Sequence, residues 1–277
     1  MSTQTGIFED VPDAEYRAIE AYGSSVVKAA AMLSVAHATV RTPDSPAMFK
    51  GRLAHCMFLE PDQVDLRYER QLVGHGASKA VKEDKARIIE AGKTPVSASD
   101  WDAVSSAVAA SKLNPNISTT LDFGAPEVTV VWKDKLSGLM CKARVDWLDM
   151  KGSAAFDLKT TSTFGGAAPN VWTRQVRRYG LGIQAVHYLD GLSQLTGQLW
   201  DWRWIALELV PPFGCTIFEP DHDVYADGLS GWRRGLSRLK ESEVAGHDLA
   251  WPQRTYKVSL DGGRCVATIG HLMVATN

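Results

Sequence analysis

Two short segments of alternating apolar and polar residues, joined by five turn-forming ones, constrain this chain more than any other stretch. Residues 139–148 read Leu-Met-Cys-Lys-Ala-Arg-Val-Asp-Trp-Leu. Cys141, Ala143, Val145 and Trp147 alternate with Lys142, Arg144 and Asp146, which is the period of a strand with one apolar face. Residues 154–159, Ala-Ala-Phe-Asp-Leu-Lys, alternate likewise: Phe156 and Leu158 point one way, Asp157 and Lys159 the other. Between them Asp149-Met150-Lys151-Gly152-Ser153 supplies turn chemistry. A hairpin folded there sets Asp146 opposite Asp157, with Cβ atoms about 5 Å apart.

Two carboxylates facing each other across a ladder repel unless a cation lies between them. A hard divalent ion with oxygen ligands removes that repulsion. Lys159 shares the face of Asp157 and can reach a bound water or a phosphate oxygen. A lone Asp-Xaa-Lys is a weak signal, because most are solvated surface charges. The second aspartate at hairpin spacing is what raises it, and the equipment suits metal-assisted cleavage of a phosphodiester.

Composition limits the rest. A chain of 277 residues can bury a full core. A net charge of −2 gives no overall field for nucleic acid, so any such binding rests on local basic patches. The four cysteines, at 56, 141, 215 and 265, form no Cys-x-x-Cys pair, which argues against structural zinc and against a disulfide framework. Cys56 and Cys141 fall in apolar patterns and read as buried thiols of a reducing, cytoplasmic compartment. Met1 to Glu20 is too polar for a signal peptide. There is no Gly-x-x-x-x-Gly-Lys phosphate loop.

Periodicity predicts a helix within 12–39 with Ser24-Ser25 as its cap, a second over 47–59 stopped by Pro61, and an amphipathic helix over 76–91. A further helix is expected from the Ser97–Ser99 cap to Lys112. Strands follow at 127–133 and 139–160, then one long helix over 171–195. A strand over 199–209 has Trp200, Trp202 and Trp204 on one face, and a last helix spans 225–240. The pattern predicts an α/β sandwich with a central mixed sheet flanked by helices. It reads as a single domain, 1–277, whose first part (1–120) is mainly helical and whose second (121–277) carries the catalytic sheet.

Three more groups are candidates. His55, four residues after Gly51, interrupts an apolar helical segment. Glu127 opens a strand beside Asp146, as a further ligand, a group orienting water from behind the ligands, or a plain strand-end carboxylate. Arg174, Arg177 and Arg178, followed by Gln184 and Tyr188, are candidates for contact with phosphates and bases; the alternative is a solvated arginine face with Gln184 and Tyr188 packing on the sheet. Arg233, Arg234, Arg238 and Lys240 read as an exposed helix face.

Taken in order, these residues resemble the PD-(D/E)XK nuclease superfamily and, within it, RecE-type phage and prophage exonucleases (exodeoxyribonuclease VIII). The resemblance runs through Ser24-Ser25 to Ala38, Gly51 to Pro61, Glu127 to Trp132, Lys142 to Asp146 and Asp157 to Thr161. It continues through Tyr179, Gln184, Tyr188, Asp190 and Gly191 to Trp251-Pro252. It implies a restriction-endonuclease-like core. His55, Asp146, Asp157 and the carbonyl of Leu158 would be metal ligands, Asp146, Asp157 and Lys159 the catalytic set, and Gln184 and Tyr188 the helix motif after the core.

The resemblance further implies a Mg²⁺-dependent deoxyribonuclease, with Mn²⁺ expected to substitute. It would degrade linear double-stranded DNA 5′→3′ in phage-type recombination, as a ring-shaped homo-oligomer beside a single-strand annealing protein, in a bacterial host cell. A structure-specific endonuclease or nickase of the same superfamily, or a non-catalytic DNA-end-binding module, are the alternatives. Fe–S nucleases are disfavoured by the cysteine spacing.

Overall fold

The computed structural model describes residues 4–40, 43–76, 78–248, 250, 256–257 and 266–267. The resembling Trp251-Pro252 pair and Cys265 lie outside them. In chain order the helices are α1 (Asp13–Ala18), α2 (Ser24–Met32), α3 (Val35–Ala38), α4 (Pro46–Leu59), α5 (Val64–Arg67), α6 (Lys79–Glu90), α7 (Ala98–Lys112), α8 (Pro115–Thr120), α9 (Pro169–Arg178), α10 (Leu181–Thr196) and α11 (His222–Ala245). The strands are β1 (Gly6–Phe8), β2 (Tyr22–Gly23), β3 (Tyr68–Arg70), β4 (Thr94–Val96), β5 (Ala125–Lys133), β6 (Met140–Asp149), β7 (Ala154–Thr161), β8 (Asp201–Glu208), β9 (Cys215–Phe218), β10 (Tyr256–Lys257) and β11 (Val266–Ala267).

The main sheet runs β1-β5-β6-β7-β8-β9, with β2 pairing in parallel on β6. β7 and β8 are parallel and the other neighbours along that path antiparallel. A parallel pair needs a long crossover; here α9 and α10 provide it. Two buried clusters sandwich the sheet. One joins β5, β6 and the tryptophans of β8 to α2, α10 and α11. The other joins β7 and β8 to α4, α7 and α8. The expected α/β sandwich with a mixed, helix-flanked sheet is therefore present. The first 120 residues are not only helical, since β1 and β2 are drawn into the sheet.

Two expected helices break. The 12–39 segment becomes α1, β2, α2 and α3, and Gly23 rather than Ser24 or Ser25 caps α2. The 171–195 helix splits at Gly180, which adopts a left-handed conformation at φ 59°. A β-carbon at Gly180 would meet the Met32 sulfur at 2.5 Å, so glycine is needed for both backbone and space. The small β3–β4 pair and β9 were not expected from periodicity, because runs of three or four residues leave too few repeats to register.

Candidate active site

Alternation carries β6 cleanly from Cys141 to Val145 and then slips. Leu148 lies in the same cluster as Cys141, Ala143 and Val145, while Trp147 packs against the opposite one. The expectation that Trp147 continues the apolar face of Val145 is thus wrong by one residue, and Asp146 sits at the slip. The ladder with β7 runs from Asp149↔Ala154 to Trp147↔Phe156 and ends there. The next positions in register are Asp146 and Asp157. In place of a strand carbonyl, Oδ2 of Asp146 accepts the Leu158 N–H at 2.7 Å. A side chain has replaced the ladder and is fixed by it.

Glu127 lies across from Asp146 on the other side, between the pairs Pro126↔Trp147 and Val128↔Val145. Its φ is 51°, left-handed for a residue with a β-carbon, which costs on the order of 1–3 kcal/mol. His55 comes from the third turn of α4, whose start is capped by Ser45 accepting from the Met48 N–H. His55 Nδ1 stands 3.6 Å from Asp146 Oδ2. One ligand atom each of His55, Glu127 and Asp146 falls within 4.8 Å of the other two. Glu127, left open between three roles by the sequence, thus stands among the candidate ligands.

The electrostatics of this trio suit a cation. Burial raises the Asp146 carboxyl above its ordinary range, and Asp157 adds to the rise while His55 and Lys159 oppose it. Burial, then the Asp146 carboxylate, push Glu127 up to about 8. Two carboxyls whose ionisation burial opposes, with an imidazole nitrogen beside them, are a fitting donor set for a divalent ion.

Asp157 is 1% exposed; it is not one of the trio but lies near enough for its charge to act on the Asp146 carboxyl. Its Oδ1 accepts from Gln184 Nε2 at 2.7 Å, and its Oδ2 is paired with the Lys159 ammonium. Lys159 reaches it because both project from the same face of β7. The Leu158 side chain is buried on the other face.

The residues expected to contact DNA divide in two. Arg174, Arg177 and Arg178 are exposed on α9. Gln184 and Tyr188 are buried on α10 and cannot form a DNA-facing wall. The break at Gly180 separates the two sets. Gln184 holds Asp157, and Tyr188 stacks edge-on against Trp202 at 5.2 Å between centroids. Asp190 and Gly191 are also structural: Asp190 accepts from Trp132 Nε1 at 3.1 Å, and a β-carbon at Gly191 would strike that indole at 2.6 Å. Arg234 and Arg238, expected to be plain exposed surface, donate to the carbonyls of Ala30, Ala31 and Leu33 that end α2.

Sequence reasoning passed over two neighbours of the site. Lys28 is partly exposed on α2, and its pKa is lowered by burial and by Lys159. Its signal was available: a single charge in the apolar run Val26-Val27-Lys28-Ala29-Ala30. Tyr16 has no such signal. Its ring lies under Arg144 at 4.3 Å and Lys142 at 4.8 Å, and burial pushes its hydroxyl up to about 12. The same two cations clamp the N-terminal segment to β6, through Lys142 Nζ to the carbonyls of Tyr16 and Ile19 and through Arg144 to that of Val11.

No helix among the described residues is long and apolar enough to cross a membrane. No curated protein matches the sequence. Among solved structures, a candidate exonuclease from Eubacterium rectale aligns with a TM-score of 0.59 at 16% identity, over 85% of this chain and 88% of its own. A phage-related exonuclease from Haemophilus somnus 129PT aligns at a TM-score of 0.36 and 10% identity, over 82% and 96%. The first likeness establishes a shared fold. Residues 20–257 match the family model described as a PDDEXK-like domain of unknown function, DUF3799, and the chain belongs to that family, with a nuclease-like fold.

Proposed function

We propose that the chain is a metal-dependent DNA exonuclease that degrades linear double-stranded DNA, 5′→3′, in phage-type recombination. One observation carries the reading: His55, Glu127 and Asp146 converge within 4.8 Å, and the Asp157–Lys159 pair follows on the adjoining strand of a PDDEXK-like fold.

His55, Glu127 and Asp146 would hold a divalent ion, Mg²⁺ or Mn²⁺, with Asp157 and the Leu158 carbonyl as the further ligands that the family resemblance implies. Such an ion supplies Lewis-acid stabilisation of the phosphate charge. The chain's own groups do the rest. Leu158 N–H and Gln184 Nε2 keep one oxygen of Asp146 and one of Asp157 in fixed directions. Lys159 Nζ orients the attacking water and offsets charge on the phosphate as the O–P bond forms and the bond to the leaving sugar oxygen breaks. Arg174, Arg177 and Arg178 grip the backbone from the exposed face of α9. A ring-shaped homo-oligomer and a single-strand annealing partner are part of the same proposal and rest on the family resemblance.

The test is cleavage of matched linear and covalently closed circular duplex by purified protein with Mg²⁺. Digestion of the linear form alone is the expected result. Equal cutting of circles would make the protein an endonuclease. No cleavage of any DNA with either Mg²⁺ or Mn²⁺, with ends still bound, would make it a non-catalytic end-binding module.

A further inference from the structure

The catalytic strand leads into a loop whose backbone is unusually well tied. Thr163 N–H donates to Thr161 Oγ1 at 3.1 Å, Gly166 N–H to the Thr163 carbonyl at 2.9 Å, and Ala168 N–H to the Gly165 carbonyl at 3.1 Å. Ala167 N–H donates at 2.9 Å to Oε1 of Glu208, a carboxylate buried at the end of β8. Gly165 has φ 68°, and a β-carbon at Gly166 would meet the Thr161 side chain at 2.5 Å. Two glycines and a buried carboxylate thus fix a turn that a loose surface loop would not need.

At the tip of this turn stands Phe164, 79% exposed and in neither buried cluster. A single apolar side chain on a mobile loop is ordinary. On a tied loop, an exposed aromatic ring is held toward solvent. The position is also particular. Five residues back along the chain is Lys159, no more than about 18 Å away even if fully extended. Five residues on, α9 begins, with exposed Arg174, Arg177 and Arg178. In chain order, a fixed aromatic ring thus falls between the strand carrying Lys159 and a helix carrying three exposed guanidinium groups, and a stacking surface together with a grip on backbone phosphates is the pairing that holds unpaired nucleic-acid strands.

We propose that Phe164 is a stacking platform for an unpaired nucleobase of the DNA strand that enters the site. The proposal rests on the nuclease reading above. It adds that the substrate end is frayed, with a base turned out onto the ring before its phosphate is cut. Removing a base-stacking aromatic weakens such binding by about tenfold or more.

The experiment uses the full chain, a duplex bearing an unpaired 2-aminopurine at its end, and Ca²⁺ for binding without cutting. Cleavage with Mg²⁺ is measured in parallel. Wild-type protein and Phe164→Trp are expected to quench the 2-aminopurine fluorescence. Phe164→Leu, equally apolar but unable to stack, should lose the quench and raise KM about tenfold. Unchanged quench and KM in Phe164→Leu, with wild-type protein cutting DNA, overturn the proposal and leave the nuclease reading standing. So does a change of oligomeric state in Phe164→Leu with DNA affinity intact, which assigns the ring to contact with a second copy. Wild-type protein that neither binds nor cuts DNA overturns both.

Discussion

Gln184 donates from Nε2 to Oδ1 of Asp157 at 2.7 Å, with both side chains buried. α10 thereby sets the direction of a carboxylate that belongs to β7. Gln184→Leu keeps the bulk and removes the donor, leaving a buried oxygen without a partner. The expected cost is about 1–3 kcal/mol of stability and roughly 10- to 100-fold in metal affinity or turnover. Denaturant unfolding and Mn²⁺ titration by calorimetry measure the two separately. An effect on stability alone would make Gln184 a packing residue.

Asp157 and Lys159 form the other half of this arrangement. Asp157→Asn and Lys159→Met should each abolish cleavage while binding of DNA ends persists. Their stability effects should differ from the sum. Lys159→Met leaves the Asp157 carboxylate, 1% exposed, facing an apolar stem, which is costlier than removing both charges. The double variant is therefore expected to be more stable than Lys159→Met alone, and a double-mutant cycle in urea measures the coupling.

Much of this was legible because the site is local. Asp146, Asp157 and Lys159 lie on one hairpin, and a period of two with a turn suffices to set the carboxylates opposite each other. His55 was legible only as an oddity in an apolar helix, since nothing local says where α4 will pack. Glu127 stayed ambiguous because its role depends on a left-handed φ that Pro126-Glu127-Val128 does not advertise. For Gln184 and Tyr188, helical spacing continued through Gly180 puts them on the arginine face, whereas the break there leaves the alternative, packing on the sheet, as the one observed. The slip at Asp146 was invisible for a similar reason: strict alternation was carried one residue too far.

The Glu127 carboxyl predicts the pH response of the metal-free protein. In the unfolded chain it titrates near 4.5, and in the fold it keeps its proton up to about 8. Burial and Asp146 hold it there, and Glu60 adds to the effect, against Arg144 and Arg67. Between those values the folded state binds the extra proton, so stability falls as pH rises. Measured against Glu127→Gln, the wild-type thermal midpoint should decline from about pH 5 to about pH 8; the difference between the two isolates Glu127 from His187, whose buried imidazole, lowered to about 4, acts in the opposite sense up to its ordinary 6.5. Metal binding must expel the same proton, so apparent Mn²⁺ affinity should climb with pH up to about 8 and then level. A wild-type midpoint that rises relative to Glu127→Gln through that window would contradict the placement of Glu127.

Gly228 on α11 sits against Gly182 on α10, where a β-carbon would lie 2.5 Å from the Gly182 carbonyl oxygen. The obstruction is backbone and cannot rotate away. Gly228→Ala should force the helices apart and cost about 1–3 kcal/mol. Because α10 carries Gln184, the same substitution should also lower metal affinity. Gly246→Ala, where nothing lies within 4 Å of a β-carbon, would strain only the left-handed cap of α11 and should leave metal affinity unchanged.

The three arginines of α9 allow a test that separates binding from chemistry. Arg174, Arg177 and Arg178 are exposed, so alanine at all three should leave the thermal midpoint close to wild type. If each meets a phosphate, the slope of log affinity against log salt should flatten by about 0.9 for every arginine replaced, or about 2.7 for all three. Affinity should fall alike for every sequence, since groups that grip phosphates position DNA without reading it. Fluorescence anisotropy at a series of NaCl concentrations, with Ca²⁺ in place of Mg²⁺, gives the slope directly. An unchanged slope would move the DNA path off α9, and Phe164, on the loop leading into that helix, would lack the phosphate grip that its stacking role requires.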